Sequence, residues 1–567
     1  MEAVNVKNLS FAYPGSDEQT IKDINLNVEE GDLVILCGET GSGKSTFLRL
    51  LKEELRPQGD FKGTIEYLKD DVNIGFVTQN PHEQVVTDKV WHELAFGMEN
   101  MGYHQNRMAS RAAEMSEYFG ISEWYDKNVN ELSGGQLQLL NLASVMVTDP
   151  DILILDEPTA QLDPVSTSDF FAAVRKLNRD MGVTVIIAEH RLEELLQADD
   201  RLLVMKNGAF VSDGRVSDAI NSIDMTSPLF EALPAAYRLY RHVQEEIGND
   251  ETMFKCQVPL TVREGRKLVR ELVDKKLADK KLECSEKLSE ELSIGLSDEH
   301  LEELSKDQIY QKPALEMKSI YFRYDRYLPD ALSDFDLTVY SGEIFCILGG
   351  NASGKTTALA VAAGLAQPYS GTVKVFSKKL KEYKNESLYN GCIAMLPQDV
   401  QTLFLYNTVR EEIESMGNNG KEGQQHLQLL KPLCDIENLL DKHPYDLSGG
   451  EQQIIGLTKV LAAEPRLLLA DEPTKGMDAG KKRIFADILK KLKSQGMTVV
   501  IVTHDAEFAA LCADRCALCF RGGIVSGGKP GEFFENNSFY TTSICRMTKG
   551  ILQGTVTLDD ALDIFYE

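Results

Sequence analysis

A glycine-rich loop between a predicted strand and a predicted helix carries the clearest chemistry in this chain. Its spacing, G-x-x-x-x-G-K-[ST], is that of the Walker A phosphate-binding loop. The apolar residues 33–36 precede it and the helix-like stretch 47–51 follows it. Glycines let consecutive N–H groups turn towards a phosphate, and the helix N-terminus adds partial positive charge. The predicted nucleotide contacts are Gly38, Glu39, Thr40, Gly41, Ser42, Gly43, Lys44, Ser45 and Thr46.

A second motif supplies the other groups that phosphoryl transfer requires. Asp156 and Glu157 follow the apolar run 152–155, as in a Walker B strand. Asp156 would face a Mg²⁺ ion, and Glu157 would polarise the attacking water as general base. Within the loop, Lys44 would reach the β- and γ-phosphates and Ser45 would hold Mg²⁺. These residues together predict hydrolysis of a nucleoside triphosphate.

Three further polar positions extend this candidate site. Gln79 ends an apolar strand, where its amide can bind Mg²⁺ or water and sense the γ-phosphate. His190 ends another such strand and would hydrogen-bond the γ-phosphate and orient water. Ser133, Gly134 and Gly135 open a predicted helix, which makes an anion site. Taken alone, these positions would more often be a surface glutamine, a structural histidine and a capped helix start. The position of His190 after Walker B favours the functional interpretation.

The same motifs occur a second time, in the same order and at nearly constant spacing. The chain is therefore predicted to contain two copies of one nucleotide-binding domain. The second copy's loop is Gly349, Gly350, Asn351, Ala352, Ser353, Gly354, Lys355, Thr356 and Thr357. Its remaining site residues are Tyr324, Gln398, Ser448, Gly449, Gly450, Asp471, Glu472 and His504. The expected metal ligands are Ser45, Gln79 and Asp156 in copy one and Thr356, Gln398 and Asp471 in copy two.

Two features of the repeat need separate interpretation. Tyr13, like Tyr324, lies just upstream of a phosphate loop, where it would stack on adenine; the alternative is a hydrophobic plug under the sheet. Ala352 stands where copy one has Gly41. Alanine would be costly there if the backbone needs a positive φ. We expect the exchange to be neutral, because every other contact residue is kept.

The composition of the chain limits the kinds of partner that it is expected to bind. The chain has 567 residues and a net charge of −28, so repulsion from phosphate argues against broad nucleic-acid binding. Its N-terminus lacks the pattern of a signal peptide, and no apolar run approaches the roughly eighteen residues that span a membrane. The ten cysteines are expected to be free thiols. We therefore expect a soluble, cytoplasmic protein.

The motifs together resemble the ATP-binding cassette (ABC) ATPase family. Leu132-Ser133-Gly134-Gly135 before Walker B, with the downstream histidine, is far more specific than the Walker motifs alone. The resemblance implies an α/β fold of two tandem P-loop NTPase domains, each with a mainly parallel core sheet, an antiparallel β subdomain and a helical subdomain. The expected ranges are 1–240 for domain 1, 241–312 for an accessory segment and charged linker, and 313–550 for domain 2.

The resemblance also implies that each ATP lies between one cassette's Walker A loop and the other cassette's signature serine. One set would join Lys44, Asp156, Glu157 and His190 to Ser448 and Gly450. The other would join Lys355, Asp471, Glu472 and His504 to Ser133 and Gly135. Both sets keep the glutamate and the histidine, so both are expected to hydrolyse ATP with Mg²⁺.

A closer resemblance is to the ATPases of energy-coupling factor (ECF) transporters. It is carried by the runs 79–86, 93–100 and 396–404 and by the turn 474–478. It implies docking on a transmembrane scaffold subunit, while a separate membrane subunit captures a vitamin or a metal ion. Residues near 82–98 and 399–413 would form the docking grooves. There, the acidic side chains Glu83, Glu93, Glu411 and Glu412 would either meet basic coupling helices or simply be solvated.

The resulting functional prediction is the ATP-hydrolysing subunit of an ECF-type importer. It would lie on the inner face of the cell membrane, one copy per transporter, because one chain supplies both cassettes. The alternative is a soluble tandem-cassette ATPase that acts on ribosomes or DNA. The acidity of the chain counts against that alternative.

Overall fold

The structure is a computed structural model that describes residues 2–16, 18–69, 71–247, 258–287, 312–383, 387–415 and 436–566, without the side chains of 246–247 and 277–287. The described residues form two compact units, each containing one copy of the repeat. The predicted domain ranges stay predictions. Residues 288–311 of the predicted linker lie outside the described residues.

The first unit contains a six-stranded and a three-stranded sheet. Its strands are β1 (Glu2–Ala12), β2 (Ile21–Glu29), β3 (Leu33–Gly38), β4 (Asp60–Tyr67), β5 (Ile74–Val77), β6 (Ile152–Asp156), β7 (Thr184–Ala188), β8 (Arg201–Lys206) and β9 (Ala209–Arg215). The larger sheet has the order β5-β6-β7-β3-β8-β9, and only β9 runs antiparallel to its neighbour. The smaller sheet, β2-β1-β4, is antiparallel. The central strands β6 and β7 are buried along their whole length, as expected for strands covered on both faces.

Helices connect the strands of the first copy. They are α1 (Lys44–Leu50), α2 (Pro81–Gln84), α3 (Val90–Asn100), α4 (Gln105–Tyr118), α5 (Gly134–Met146), α6 (Pro164–Met181) and α7 (Val216–Ala219). Helices α2 to α5 lie between β5 and β6 in the chain and form the helical subdomain. Helix α6 begins at the N-cap Asp163, with proline in its first turn, and ends at Gly182 with φ 68°. Both ends follow ordinary capping preferences.

The second unit repeats this architecture. Its strands are β10 (Pro313–Phe322), β11 (Leu332–Tyr340), β12 (Ile344–Leu348), β13 (Ser370–Val375), β14 (Lys378–Lys379), β15 (Ile393–Leu396), β16 (Leu467–Asp471), β17 (Thr498–Thr503), β18 (Arg515–Phe520) and β19 (Gly523–Gly528). The main sheet has the order β15-β16-β17-β12-β18-β19, and the antiparallel sheet has the order β11-β10-β13-β14. The predicted α/β fold with two cassette domains is therefore confirmed.

The helices of the second unit include a small C-terminal cluster. They are α8 (Ala235–Ile247), α9 (Val262–Lys287), α10 (Lys355–Ala362), α11 (Val409–Glu414), α12 (Gly449–Leu461), α13 (Ala479–Ser494), α14 (Ala506–Cys512), α15 (Pro530–Asn536), α16 (Ser543–Thr548) and α17 (Leu558–Tyr566). Helices α8 and α9 pack against each other and against α16 and α17. The described part of the predicted accessory segment therefore contributes apolar surface to this cluster. Among the described residues, no helix is long and apolar enough to cross a membrane.

The register of the parallel strands decides where the polar residues meet. In the first sheet Asp156 pairs with Ala188, and Ala188 pairs with Leu36. In the second sheet Asp471 pairs with Val502, and Leu348 pairs with Thr503. The carboxyl ends of neighbouring strands therefore lie at one edge of each sheet. At the same edge the phosphate loop leaves β3 or β12, which is where open α/β sheets bind ligands.

Candidate active sites

The first phosphate loop curls around its own lysine. Lys44 Nζ donates to the carbonyl oxygens of Gly38 at 2.9 Å and Glu39 at 3.1 Å. Burial lowers the pKa of Lys44 despite the attraction of nearby carboxylates. Gly41 and Gly43 have φ of 83° and 105°, a region that L-residues rarely adopt. The loop therefore presents a buried cation at the N-terminus of α1, as phosphate binding requires.

The second phosphate loop has the same geometry and one strained residue. Lys355 Nζ donates to the carbonyl oxygens of Gly349 at 2.9 Å and Gly350 at 2.8 Å. Ala352 has φ 60°. The expectation that alanine is neutral here is therefore wrong, because the loop needs a left-handed backbone at this position whichever residue occupies it. That conformation costs an L-residue about 1–2 kcal/mol.

Buried hydroxyls in both loops fit a phosphate ligand. Thr40 and Ser42 in copy one and Ser353 in copy two each bury a hydroxyl oxygen that has no hydrogen-bond partner among the described residues. A buried hydroxyl without a partner costs free energy. Phosphate oxygens are strong acceptors that would satisfy such donors. The loops are therefore suited to a nucleotide by their side chains as well as by their backbone.

The candidate general base of copy one is held from two sides. Glu157 follows β6 with φ 46°, and its N–H donates to the carbonyl of Ala188 at 2.9 Å. Its Oε1 lies 2.8 Å from His190 Nε2, and its Oε2 accepts from Gln79 Nε2 at 2.8 Å. Burial pushes the pKa of Glu157 up, but the contact with His190 and the charge of Lys44 outweigh it, so the pKa is lowered. The carboxylate is therefore ionised and can accept a proton.

Copy two places Glu472 in the same way but with different partners. Glu472 has φ 48°, and its Oε1 lies 2.9 Å from His504 Nδ1. Its Oε2 accepts from the hydroxyl of Thr503 at 3.3 Å. Burial again opposes ionisation, yet His504 and Lys355 lower the pKa of Glu472. Among the described residues, Gln398 makes no hydrogen bond to this carboxylate, unlike Gln79 in copy one.

The Walker B aspartates have a different electrostatic environment. Burial raises the pKa of Asp156 to about 6, and it raises the pKa of Asp471 to about 6. Ser45 Oγ donates to Asp156 Oδ1 at 2.9 Å. The Thr356 hydroxyl opposes the rise in the pKa of Asp471, although no group in the described chain makes a hydrogen bond of normal geometry to either Asp471 oxygen.

This donor set fits Mg²⁺. A hydroxyl and a buried carboxylate are oxygen ligands of the kind that Mg²⁺ takes beside nucleotide phosphates. Ser45 with Asp156, and Thr356 with Asp471, would hold the ion. Bound there, Mg²⁺ would supply positive charge next to the γ-phosphate. Gln79, also predicted as a metal ligand, instead contacts Glu157, and its metal role stays a prediction, as does that of Gln398.

Tyr13 and Tyr324 each form a hydrogen bond with the phosphate loop of the same copy. The Tyr13 hydroxyl lies 3.1 Å from Thr46 Oγ1, and the Tyr324 hydroxyl lies 2.9 Å from Thr357 Oγ1. Each ring also makes an edge-on contact with the aromatic residue two positions earlier. Both rings are partly exposed. A partly exposed ring fixed beside the phosphate loop is suited to stacking on a base, and adenine stacking stays a prediction.

The signature serines are the exposed N-caps of two largely buried helices, α5 and α12. Ser133 Oγ accepts from the N–H of Gln136 at 3.3 Å, and the Gln136 side chain accepts from the N–H of Ser133 at 3.0 Å. Ser448 and Glu451 form the matching capping box. N–H groups at such helix starts favour an anion. The pairing of each signature with the other copy's phosphate loop stays a prediction.

Two acidic residues of the predicted docking segments have internal roles. Glu93 is buried, and its Oε2 accepts from the N–H groups of Val86 at 3.1 Å and Thr87 at 2.8 Å. Glu412 is fully buried, and its Oε2 lies 2.6 Å from Lys459 Nζ. The prediction that Glu93 and Glu412 face basic helices or solvent is therefore wrong. Each carboxylate satisfies loop N–H groups that have no helical partner.

The other two acidic residues of the predicted docking segments, Glu411 and Glu83, are exposed. Glu411 is exposed and caps α11 by accepting from the N–H of Thr408. Glu83 is exposed and accepts from the side-chain amide of Asn80 at 2.7 Å. These two carboxylates remain accessible, and their docking role stays a prediction.

The sequence-predicted site residues do not include Glu189 and Thr503. These two residues contact the candidate base or its neighbours. Each directly precedes a strand-end histidine. The two copies carry different residues at this position but share the histidine that follows it. That difference marks the position, but it does not indicate what either side chain contacts.

Comparison with known proteins agrees with the repeated architecture. The family model described as ABC transporter matches residues 21–160 and 332–475. A putative ABC transporter ATP-binding protein of Bacillus anthracis is 34% identical over 98% of this chain and 97% of its own length. One from Streptomyces coelicolor is 30% identical over 96% of this chain and 97% of its own length.

A solved structure shares the fold across most of the chain. It is an archaeal ribosome recycling factor in complex with a ribosomal stalk protein, with a TM-score of 0.56 and 19% identity. The match covers 93% of this chain and 91% of that one. With the two family-model matches and the full-length relatives, the chain therefore belongs to the ABC transporter family, in which it is an ATP hydrolase with two cassettes.

Proposed function

We propose that this chain is the ATP-hydrolysing subunit of an ECF-type membrane importer. ABC ATPases generally act with transmembrane subunits, and the proposed partners are a transmembrane scaffold and a separate substrate-capture protein. The chain would lie on the inner face of the membrane. ATP binding would bring the cassettes together, and hydrolysis would release them, so that the movement drives uptake of a vitamin or a metal ion.

One observation supports the docking part of this proposal most strongly. In each copy, a buried glutamate fixes the loop that follows the strand-end glutamine, and that loop exposes an apolar side chain. In copy one Glu93 holds the loop that exposes Val86 at 64%. In copy two Glu412 holds the loop that exposes Leu405 at 78%, next to the exposed Tyr406. A loop that is already fixed loses little conformational freedom on binding, so its exposed apolar side chains are suited to contact a protein partner.

Hydrolysis in this proposal rests on groups that this chain supplies. Lys44 and Lys355 would neutralise phosphate charge, while Glu157 and Glu472 would accept a proton from the attacking water. His190 and His504 would orient the glutamates they contact. Both copies carry the full set, so both cassettes are proposed to turn over.

Affinity purification from detergent-solubilised membranes of the source organism tests the docking proposal. We expect integral membrane proteins to co-purify with the tagged chain. Val86→Asp combined with Leu405→Asp should abolish that association, because each places a charge in the apolar contact. Val211→Asp is the matched control, since Val211 is 55% exposed on β9, outside the docking segments. Retention of the membrane proteins by the double variant would contradict the assignment of these loops.

The alternative is a soluble tandem cassette that acts on ribosomes or DNA. The fold shared with a ribosome recycling factor at 19% identity does not favour it, because the shared fold carries many functions. The same purification distinguishes the two. Sedimentation with ribosomes, and no membrane protein in the eluate, would replace the importer proposal with this one.

A further inference from the structure

The residue directly before each strand-end histidine differs between the two copies. Copy one has Glu189 before His190, and copy two has Thr503 before His504. Both residues are buried, at 2% and 0% exposure. Both lie at the carboxyl edge of a main sheet, next to the candidate general base. Their different chemistry therefore changes how that base is held.

In copy one Glu189 binds the turn that follows the candidate base. Its Oε1 accepts from the N–H of Thr159 at 3.1 Å and also from the Thr159 hydroxyl. Its Oε2 accepts from the N–H of His190 at 2.8 Å. Glu189 thus links the turn after Glu157 to the histidine segment. As an acceptor-only carboxylate, it cannot donate to Glu157, whose Oε2 is held by Gln79 instead.

In copy two Thr503 binds the candidate base itself. Its hydroxyl donates to Glu472 Oε2 at 3.3 Å and accepts from the N–H of Asp505 at 3.1 Å. Because Asp505 N–H fills the acceptor side, the hydroxyl proton is directed towards the carboxylate. Glu472 is therefore anchored through both oxygens to the neighbouring strand end, by Thr503 and His504.

We infer that Glu189 and Thr503 are positioning residues that make the two hydrolytic centres unequal. The base of copy one shares a hydrogen bond with Gln79, in the segment that leads to the docking loop. A displacement of that segment would move Glu157. The base of copy two has no such bond among the described residues, so Glu472 keeps its position. This inference rests on the proposed roles of Glu157 and Glu472 as general bases.

Single-turnover rapid-quench hydrolysis of radiolabelled ATP by the full chain with Mg²⁺ tests the inference. We expect two phases of different rate, one removed by Glu157→Gln and the other by Glu472→Gln. Thr503→Val should slow the copy-two phase about tenfold, since a hydrogen bond to a charged group is lost. Thr503→Ser keeps the hydroxyl and should restore the rate. Glu189→Thr should slow the copy-one phase and spare the other.

Two measurements separate positioning from loss of structure. Affinity for a non-hydrolysable ATP analogue should be unchanged in Thr503→Val. The unfolding temperature of this variant should fall only slightly, because Glu472 and the N–H of Asp505 each lose one hydrogen bond. Thr503→Ser should restore both the hydrolysis rate and the unfolding temperature. A valine variant that unfolds at a much lower temperature and binds the analogue poorly would overturn the inference.

The outcomes distinguish this inference from the function on which it rests. One rate in the unmodified chain, or loss of both phases in either glutamine variant, would overturn the inequality. If each glutamine variant removes one phase but Thr503→Val changes neither, the positioning role is wrong while the general bases stand. If both phases survive in both glutamine variants, the general-base assignment itself fails.

Discussion

Asp156→Asn should change how the stability of the first cassette depends on pH. Burial raises the pKa of Asp156 to about 6 from its ordinary 3.8. A carboxyl whose folded-state pKa is raised destabilises the fold as pH rises from the unfolded value through the folded one. At 1.36 kcal/mol per pKa unit, the full penalty is about 3 kcal/mol. About half of this penalty develops between pH 5 and pH 7.5. The other half is already present at pH 5, because the carboxyl of Asp156 is ionised in the unfolded chain at that pH.

The variant removes this penalty at every pH. Its free energy of unfolding relative to the unmodified chain should therefore grow by about 1.5 kcal/mol from pH 5 to pH 7.5. A constant offset from the buried amide does not affect this difference. The amide oxygen can still accept from Ser45, which donates to Asp156 at 2.9 Å, so local packing is kept.

Tryptophan fluorescence during urea unfolding, with EDTA present, measures the free energy of unfolding of the first cassette alone. The chain has two tryptophans, Trp91 and Trp124, and both belong to copy one. Asp126→Asn is the matched control, because Asp126 is exposed and its replacement should give no such trend. A pH-independent difference between Asp156→Asn and the unmodified chain would refute the reasoning that Asp156 is a desolvated carboxylate.

Three other substitutions have expected outcomes. Ala352→Gly should stabilise the second cassette by about 0.5–1 kcal/mol in thermal unfolding, since relief of the strain at φ 60° exceeds the entropy cost of glycine; a lower unfolding temperature would contradict this. Glu412→Gln should lower the free energy of unfolding by about 2–4 kcal/mol in chemical unfolding, because it leaves Lys459 without its charged partner. Glu414→Gln, at an exposed position, should lower it little. Equal effects of the two variants would contradict the buried-pair interpretation. Tyr13→Ala should weaken binding of ATP but not of inorganic tripolyphosphate, measured by calorimetry, and equal losses for both ligands would exclude base stacking.

Periodicity and motifs are sufficient to predict much of the fold from the sequence. Apolar runs before each motif predict buried strands, and parallel strands necessarily bring their carboxyl ends to one edge. For that reason the order of motifs alone places Asp156, Glu157, Gln79 and His190 together. Duplication of the motifs likewise predicts two cassettes.

Backbone conformation and tertiary hydrogen bonds cannot be predicted in this way. The strain at Ala352 escapes prediction because its φ depends on the loop and not on its own preference. Glu93 and Glu412 resemble surface acids in the sequence because charged residues are usually exposed. Their burial follows from loop N–H groups that come near them only after folding. The contact between Thr503 and Glu472 joins residues at the ends of two different strands and has no local signal.

The most direct test of the central claim is ATP hydrolysis by the variant that combines Glu157→Gln with Glu472→Gln. Glutamine keeps the size of each side chain but cannot accept the proton from water. Steady-state turnover should fall at least about 100-fold, while binding of ATP, measured by calorimetry, should remain. Near-normal hydrolysis by this double variant would contradict the account of two carboxylate-based hydrolytic centres.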